Sequence, residues 1–169
     1  MQRETLQKST VSRELYQGLA RTMDKLRRQV EDLLKVYALS EAQYNVLCIL
    51  NEASPKALNC GEIAAQMVTR DPDITRLLDR MEQRNLIERK RGSEDRRITH
   101  VNILPAGTAL IETLDKPMAE LHERQFAFLA GQETQGLFYH LQQIKQDAES
   151  DALEASLNGR LHHSLTQNA

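Results

Sequence analysis

No stretch of this 169-residue sequence approaches the roughly 18 consecutive apolar residues that a membrane-spanning helix requires. Residues 1–10 also lack the apolar run of a secretory signal, so the cytoplasm is the expected compartment. Cysteine is scarce. Cys48 and Cys60 are not in Cys-x-x-Cys spacing, which argues against a zinc knuckle or a disulfide framework and predicts free thiols. The histidines give no metal site either: His162 and His163 are adjacent rather than spaced for one helix face, and His100, His122 and His140 are isolated. Gly-x-Ser-x-Gly, phosphate-loop and dinucleotide fingerprints are all missing, so neither catalysis nor a cofactor is expected. There is no internal repeat and no low-complexity tract.

What is present is ordinary globular material. Apolar residues make up 40% and charged residues 27%, which excludes wholesale disorder and predicts one compact unit with appended helices. The formal charge of −2 argues against indiscriminate polyanion binding, but its distribution is uneven. Residues 70–97 hold nine Arg or Lys against seven Asp or Glu, a local +2 that leaves −4 on the rest. A basic module on an acidic body suits a phosphate-binding surface, because Lys and Arg there release counterions. A solvated charged face has the same composition.

Along 11–37 the apolar positions Val11, Leu15, Leu19, Met23, Leu26, Val30, Leu33, Leu34 and Tyr37 step by three or four, a helical stripe longer than a small core needs. Part of it is expected to meet another subunit. Ser40-Glu41-Ala42-Gln43 reads as a capping box starting a second helix that runs to about 52, followed by a loop over 53–58. Asn59-Cys60-Gly61-Glu62 repeats the capping pattern for a short third helix. After a turn at 68–70, Asp71-Pro72 reads as the cap and first position of a fourth helix over 72–83. Its apolar face is Ile74, Leu77, Leu78 and Met81; Asp73, Thr75, Arg76, Asp79, Arg80 and Gln83 fall away from it. Residues 86–91 and 98–103 read as two strands joined by a charged, turn-rich loop, together a wing. A fifth helix opens at Pro105 with a kink expected at Pro117, and a sixth starts near Thr134. The tail over 151–169 carries Leu153, Leu157, Leu161 and Leu165 at intervals of four around Gly159, a pattern compatible with a weak helix or with disorder.

The expected fold is mainly α with a small β-wing: a winged helix-turn-helix over 40–104, flanked by a long N-terminal helix at 11–37 and C-terminal helices at 105–150. In such a fold the fourth helix enters the major groove of double-stranded DNA. Arg76 and Arg80 are candidate guanine readers or phosphate clamps, Asp73 a candidate acceptor from cytosine N4–H, and Thr75 a partner for phosphate or a thymine methyl. Thr69 and Arg70 in the turn join them, and Arg96 and Arg97 at the wing tip suit a narrow minor groove, with Asp95 orienting one of them. Two other readings stay open: a winged-helix protein-interaction module that never touches DNA, and a thiol sensor. Cys48 falls on the apolar second helix and reads as a small core residue, whereas Cys60 sits one position past a cap, where a helix dipole lowers a thiol pKa.

Ile63-Ala64, Thr75-Arg76-Leu77-Leu78-Asp79-Arg80-Met81-Glu82, Leu86-Ile87-Glu88-Arg89 and especially Glu94-Asp95-Arg96-Arg97 resemble the MarR-type transcription regulators over about 40–108. The resemblance gives Arg97 the minor-groove role, with Asp95 holding it. It implies a homodimer built from the N- and C-terminal helices, a pseudo-palindromic operator, repression, and release by a small phenolic ligand or an oxidant. An effector pocket comes with it, for which Met23, Tyr37, Tyr44 and His122 are the candidate lining. The sequence departs from the family pattern in two places. Ile103-Leu104 stands where Leu-Thr is usual, although Gly107 keeps the family's glycine, and Asp71-Pro72-Asp73 makes an acidic start to the fourth helix.

Overall fold

The computed structural model describes residues 2–68, 73–92 and 98–166, with side chains for 10–68, 73–92, 98–148 and 150. Its elements run α1 (Gln2–Lys35), α2 (Glu41–Ala53), β1 (Leu58–Asn59), α3 (Cys60–Gln66), α4 (Ile74–Gln83), β2 (Ile87–Arg91), β3 (Thr99–Ile103), α5 (Pro105–Phe126) and α6 (Gly131–Thr166). They fall into two compact units, Met1–Glu123 and Arg124–Ala169.

Both predicted capping boxes form. The Ser40 hydroxyl accepts the Gln43 N–H at 3.2 Å while the Gln43 side chain accepts the Ser40 N–H at 3.0 Å. Asn59 and Glu62 do the same at 3.0 and 2.8 Å. Each box satisfies two amides that a helix start leaves orphaned, so both starts are legible within four residues of sequence.

Other boundaries differ from the sequence reading. Helix α1 covers Gln2–Lys35 rather than 11–37, leaving Tyr37 in the turn that ends it. The predicted loop over 53–58 ends in β1, two residues that pair antiparallel with β3 (Leu58 opposite Val101, Asn59 opposite His100). Helix α4 begins at Ile74 and is capped by Asp73, whose carboxylate accepts the Arg76 N–H at 3.1 Å; the proposed cap Asp71 and first-turn Pro72 lie outside the described residues. Helix α5 continues through Pro117, and α6 starts at Gly131 and runs through 151–166, where the sequence left order open.

The sheet order is β1-β3-β2, with β2 and β3 antiparallel from Ile87 opposite Ile103 to Arg91 opposite Thr99. One core joins these elements. Leu34 of α1, Val46, Leu47 and Leu50 of α2, Ile63 of α3, Leu77, Leu78 and Met81 of α4, Ile87 and Val101 of the wing, and Leu114 of α5 are all nearly or wholly buried. Full burial of such a side chain is worth roughly 1.5–3 kcal/mol, so this cluster is the main force holding the helix-turn-helix against the wing. Gly107 lies where α5 crosses the sheet. A Cβ there would overlap the Leu86 carbonyl oxygen and come 2.8 Å from Ile103 Cγ1, so only glycine allows the approach.

Outside this core, α1 leaves Val11, Leu15, Tyr16 and Met23 exposed. In the second unit, Phe138, Tyr139, Leu141 and Ile144 of α6 are exposed as well, with the Tyr139 and His140 rings edge to face at 5.6 Å. Among the described residues, no helix is long and apolar enough to cross a membrane.

Candidate nucleic-acid interface

Helices α3 and α4 form the two arms of the helix-turn-helix. Ile63 anchors α3 in the core, and the side chain of Asn45 on α2 accepts the Val68 N–H at 3.1 Å, holding the chain as it leaves α3. Helix α4 buries Leu77, Leu78 and Met81 and turns Thr75, Arg76, Arg80 and Gln83 to solvent, the separation its sequence predicts. Arg80 is exposed on this outward face. Arg76 is also outward, with its side chain 81% exposed, but its Nε lies 3.0 Å from Asp73 Oδ2. Asp73 thus serves as the cap of α4 and the counter-ion of Arg76.

A second feature escaped the sequence reading. Arg89 of β2 reaches back to α4, its Nε 2.9 Å and Nη2 2.7 Å from Glu82 Oε2, and its Nη2 2.6 Å from Asp79 Oδ1. Its backbone N–H donates to the other Glu82 oxygen at 3.0 Å. These bonds, those to Glu82 first, stabilise the charged guanidinium and raise its pKa. The clamp joins α4 to the first wing strand. It also neutralises two carboxylates that would otherwise offset Arg76 and Arg80 before a polyanion. The only sequence signal was a carboxylate pair three apart followed by an arginine in a strand, which is too common to be diagnostic.

The wing hairpin closes through the Gly92 N–H and the Ile98 carbonyl at 2.8 Å. Asp95, Arg96 and Arg97, and the turn residues Thr69 and Arg70, lie outside the described residues.

The four candidate effector residues differ in exposure. Met23 and His122 are exposed, while Tyr37 and Tyr44 are partly buried against the core. Burial, reinforced by Cys48, pushes the Tyr44 phenol pKa up, and burial likewise raises the Cys48 thiol, as a core residue should behave. A cavity of about 430 Å³ lies at the α1–α2 turn, lined by Glu31, Lys35, Ala38, Leu39, Ser40 and Glu41. Arg27 braces this region by pairing with Glu41 at 2.7 Å. Cys60, partly buried, borders a second cavity of about 360 Å³ with Ile98 and Thr99. Among the described residues, no group of three His, Cys, Asp or Glu is arranged to hold a metal ion.

A helix-turn-helix with an outward basic face, clamped to an antiparallel wing, defines a winged-helix DNA-binding regulator. The model of the MarR family matches residues 39–99. The chain is 30% identical over 132 residues to the HTH-type transcriptional repressor IacR of Pseudomonas putida, covering 78% of each chain. Among solved structures it resembles the MarR transcription factor of Planctomyces limnophilus at 35% identity, with a TM-score of 0.63 over 77% of this chain and 94% of that one. It shares the fold of an Escherichia coli MarR mutant solved with operator DNA, at 24% identity and a TM-score of 0.70 over 77% and 92% of the two chains. The chain belongs to the MarR family: it is a DNA-binding transcription regulator and not an enzyme.

Proposed function

We propose that the protein is a cytoplasmic, homodimeric repressor that binds a pseudo-palindromic operator and lets go of it when a small aromatic effector or a stress signal acts. The observation carrying the DNA half is the outward face of α4, with Thr75, Arg76 and Arg80 exposed opposite the buried Leu77, Leu78 and Met81. Arg80 is the leading base or phosphate contact, with Arg76 and Thr75 beside it. Thr69, Arg70, Arg96 and Arg97 are proposed to complete the contacts from the turn and the wing, with Asp95 supporting Arg97. The repressor reading is supported by the likeness to a repressor, and the homodimer by the apolar residues that α1 and α6 each leave exposed. For the effector, the family resemblance and the roughly 430 Å³ cavity at the α1–α2 turn give support.

Fluorescence anisotropy with duplex from the gene's own promoter tests the DNA half. Arg80→Ala is expected to cost about 1–3 kcal/mol on the promoter sequence if the residue reads a base, or to lower the salt slope by about one if it clamps phosphate. Wild-type binding that ignores added salt would instead favour a protein-interaction module held by an apolar surface.

A further inference from the structure

Helices α1 and α4 end in the same way. In α1 the Leu39 N–H returns to the Leu34 carbonyl at 3.1 Å and the Ala38 N–H to Lys35 at 3.0 Å; in α4 the Leu86 N–H returns to Met81 at 3.1 Å and the Asn85 N–H to Glu82 at 2.9 Å. This is a Schellman ending, which needs a left-handed residue, and neither helix uses glycine for it. Ala38 (φ 53°) and Asn85 (φ 56°) take that conformation, the only positive-φ non-glycine residues among those described. The leucine after each is buried, pinning both ends into the core.

One side chain joins the two. Arg84, the residue before Asn85, donates from Nη1 to the Ala38 carbonyl at 2.6 Å, across 46 residues of sequence. The contact is charge-assisted and carries the cation of the α4 C-cap residue to the C-terminal end of α1, where partial negative charge collects. It also takes a basic residue of the 70–97 module away from the DNA-contact inventory.

We propose that Arg84 is a positioning residue for DNA reading: it fixes the C-terminal end of α4 against the end of α1 and so sets how the reading helix is presented. The inference rests on the DNA-binding reading of α4 given above. In a homodimer assembled through α1, the same link sets the separation of the two reading helices, and hence which half-site spacing fits. Arg84 then governs discrimination between sequences, whereas a phosphate-binding arginine strengthens binding to all of them.

The test uses the full chain with promoter duplex and a scrambled duplex of equal length, in anisotropy titrations over a range of salt. Arg84→Ala is expected to lower the promoter-to-scrambled affinity ratio about three- to tenfold, the net scale of one solvent-exposed intramolecular hydrogen bond. The salt slope stays unchanged, and Arg84→Lys, which keeps the charge and a donor, recovers part of the ratio. In the DNA-free protein, hydrogen exchange at the Leu39 and Leu86 amides should quicken together in Arg84→Ala. Equal loss on both duplexes with a slope lower by about one would make Arg84 a phosphate contact and overturn the proposal. So would an unchanged ratio, or faster exchange at Leu86 alone. Should Arg84→Ala lose its thermal transition, Arg84→Lys carries the test, and an intermediate ratio at wild-type slope supports the proposal. A wild-type chain that binds neither duplex overturns the DNA-binding reading and this inference together; wild-type binding with an indifferent Arg84→Ala overturns this inference only.

Discussion

Replacing Arg89 by methionine keeps an unbranched apolar stem and removes every guanidinium donor. The variant loses contacts of 2.9 and 2.7 Å to Glu82 and 2.6 Å to Asp79, while the backbone bond from residue 89 to Glu82 can persist. A hydrogen bond to a charged group is worth about 1.5–3 kcal/mol when sheltered. Here the guanidinium is 23% exposed and the carboxylates 43% and 38% exposed, so solvent screens the pair and the three contacts do not add. The expected cost is about 1.5–3 kcal/mol in total, since two partly buried carboxylates also lose their partner. For a unit of this size that lowers Tm by about 5–12 °C. Chemical denaturation of the wild type, Arg89→Met, Glu82→Gln and the double variant closes a cycle whose coupling energy should be about 1–2 kcal/mol. A coupling near zero, or an Arg89→Met protein melting within about 1 °C of wild type, would refute the clamp as a stabilising element.

Gly107→Ala should cost about 2–3 kcal/mol by overpacking, because its Cβ overlaps the Leu86 carbonyl that accepts the Leu104 N–H at 3.0 Å; a thermal melt within 2 °C of wild type on the scale of the Arg89 series would contradict this. The raised pKa values of Tyr44 and Cys48 favour their neutral forms in the folded state. Their stabilisation is fully present below the ordinary values of 10.0 and 9.0 and is lost as pH climbs from there through the folded values. Denaturation midpoints should therefore fall on the alkaline side, and Tyr44→Phe should flatten the part of that fall above pH 10.0; an unchanged alkaline limb would show that the phenol is not responsible.

Features written in adjacent residues were legible in the sequence. The caps at Ser40 and Asn59 need only a hydroxyl or amide and an acceptor three residues on, and both formed. The apolar spacing of α4 placed Leu77, Leu78 and Met81 inside and Thr75, Arg76 and Arg80 outside. Two aspartates flanking Pro72 offered competing starts for α4, and the proline drew the reading to Asp71 although Asp73 makes the cap. Strand β1 escaped because two residues carry no period; it exists only through its pairing with β3. The Arg89 clamp and the Arg84 link were invisible because their partners lie seven to 46 residues away and meet only after the core has assembled.

Asn59 belongs to two elements at once. As the last residue of β1 it pairs with His100, and as the cap of α3 it holds the Glu62 amide. There is thus no linker at which the helix-turn-helix can be cut from the wing. Transplanting this reading module onto another scaffold would require moving residues 58–66 together with strand 99–103, and a graft that takes the helices alone would leave α3 without a start and β3 without its edge partner.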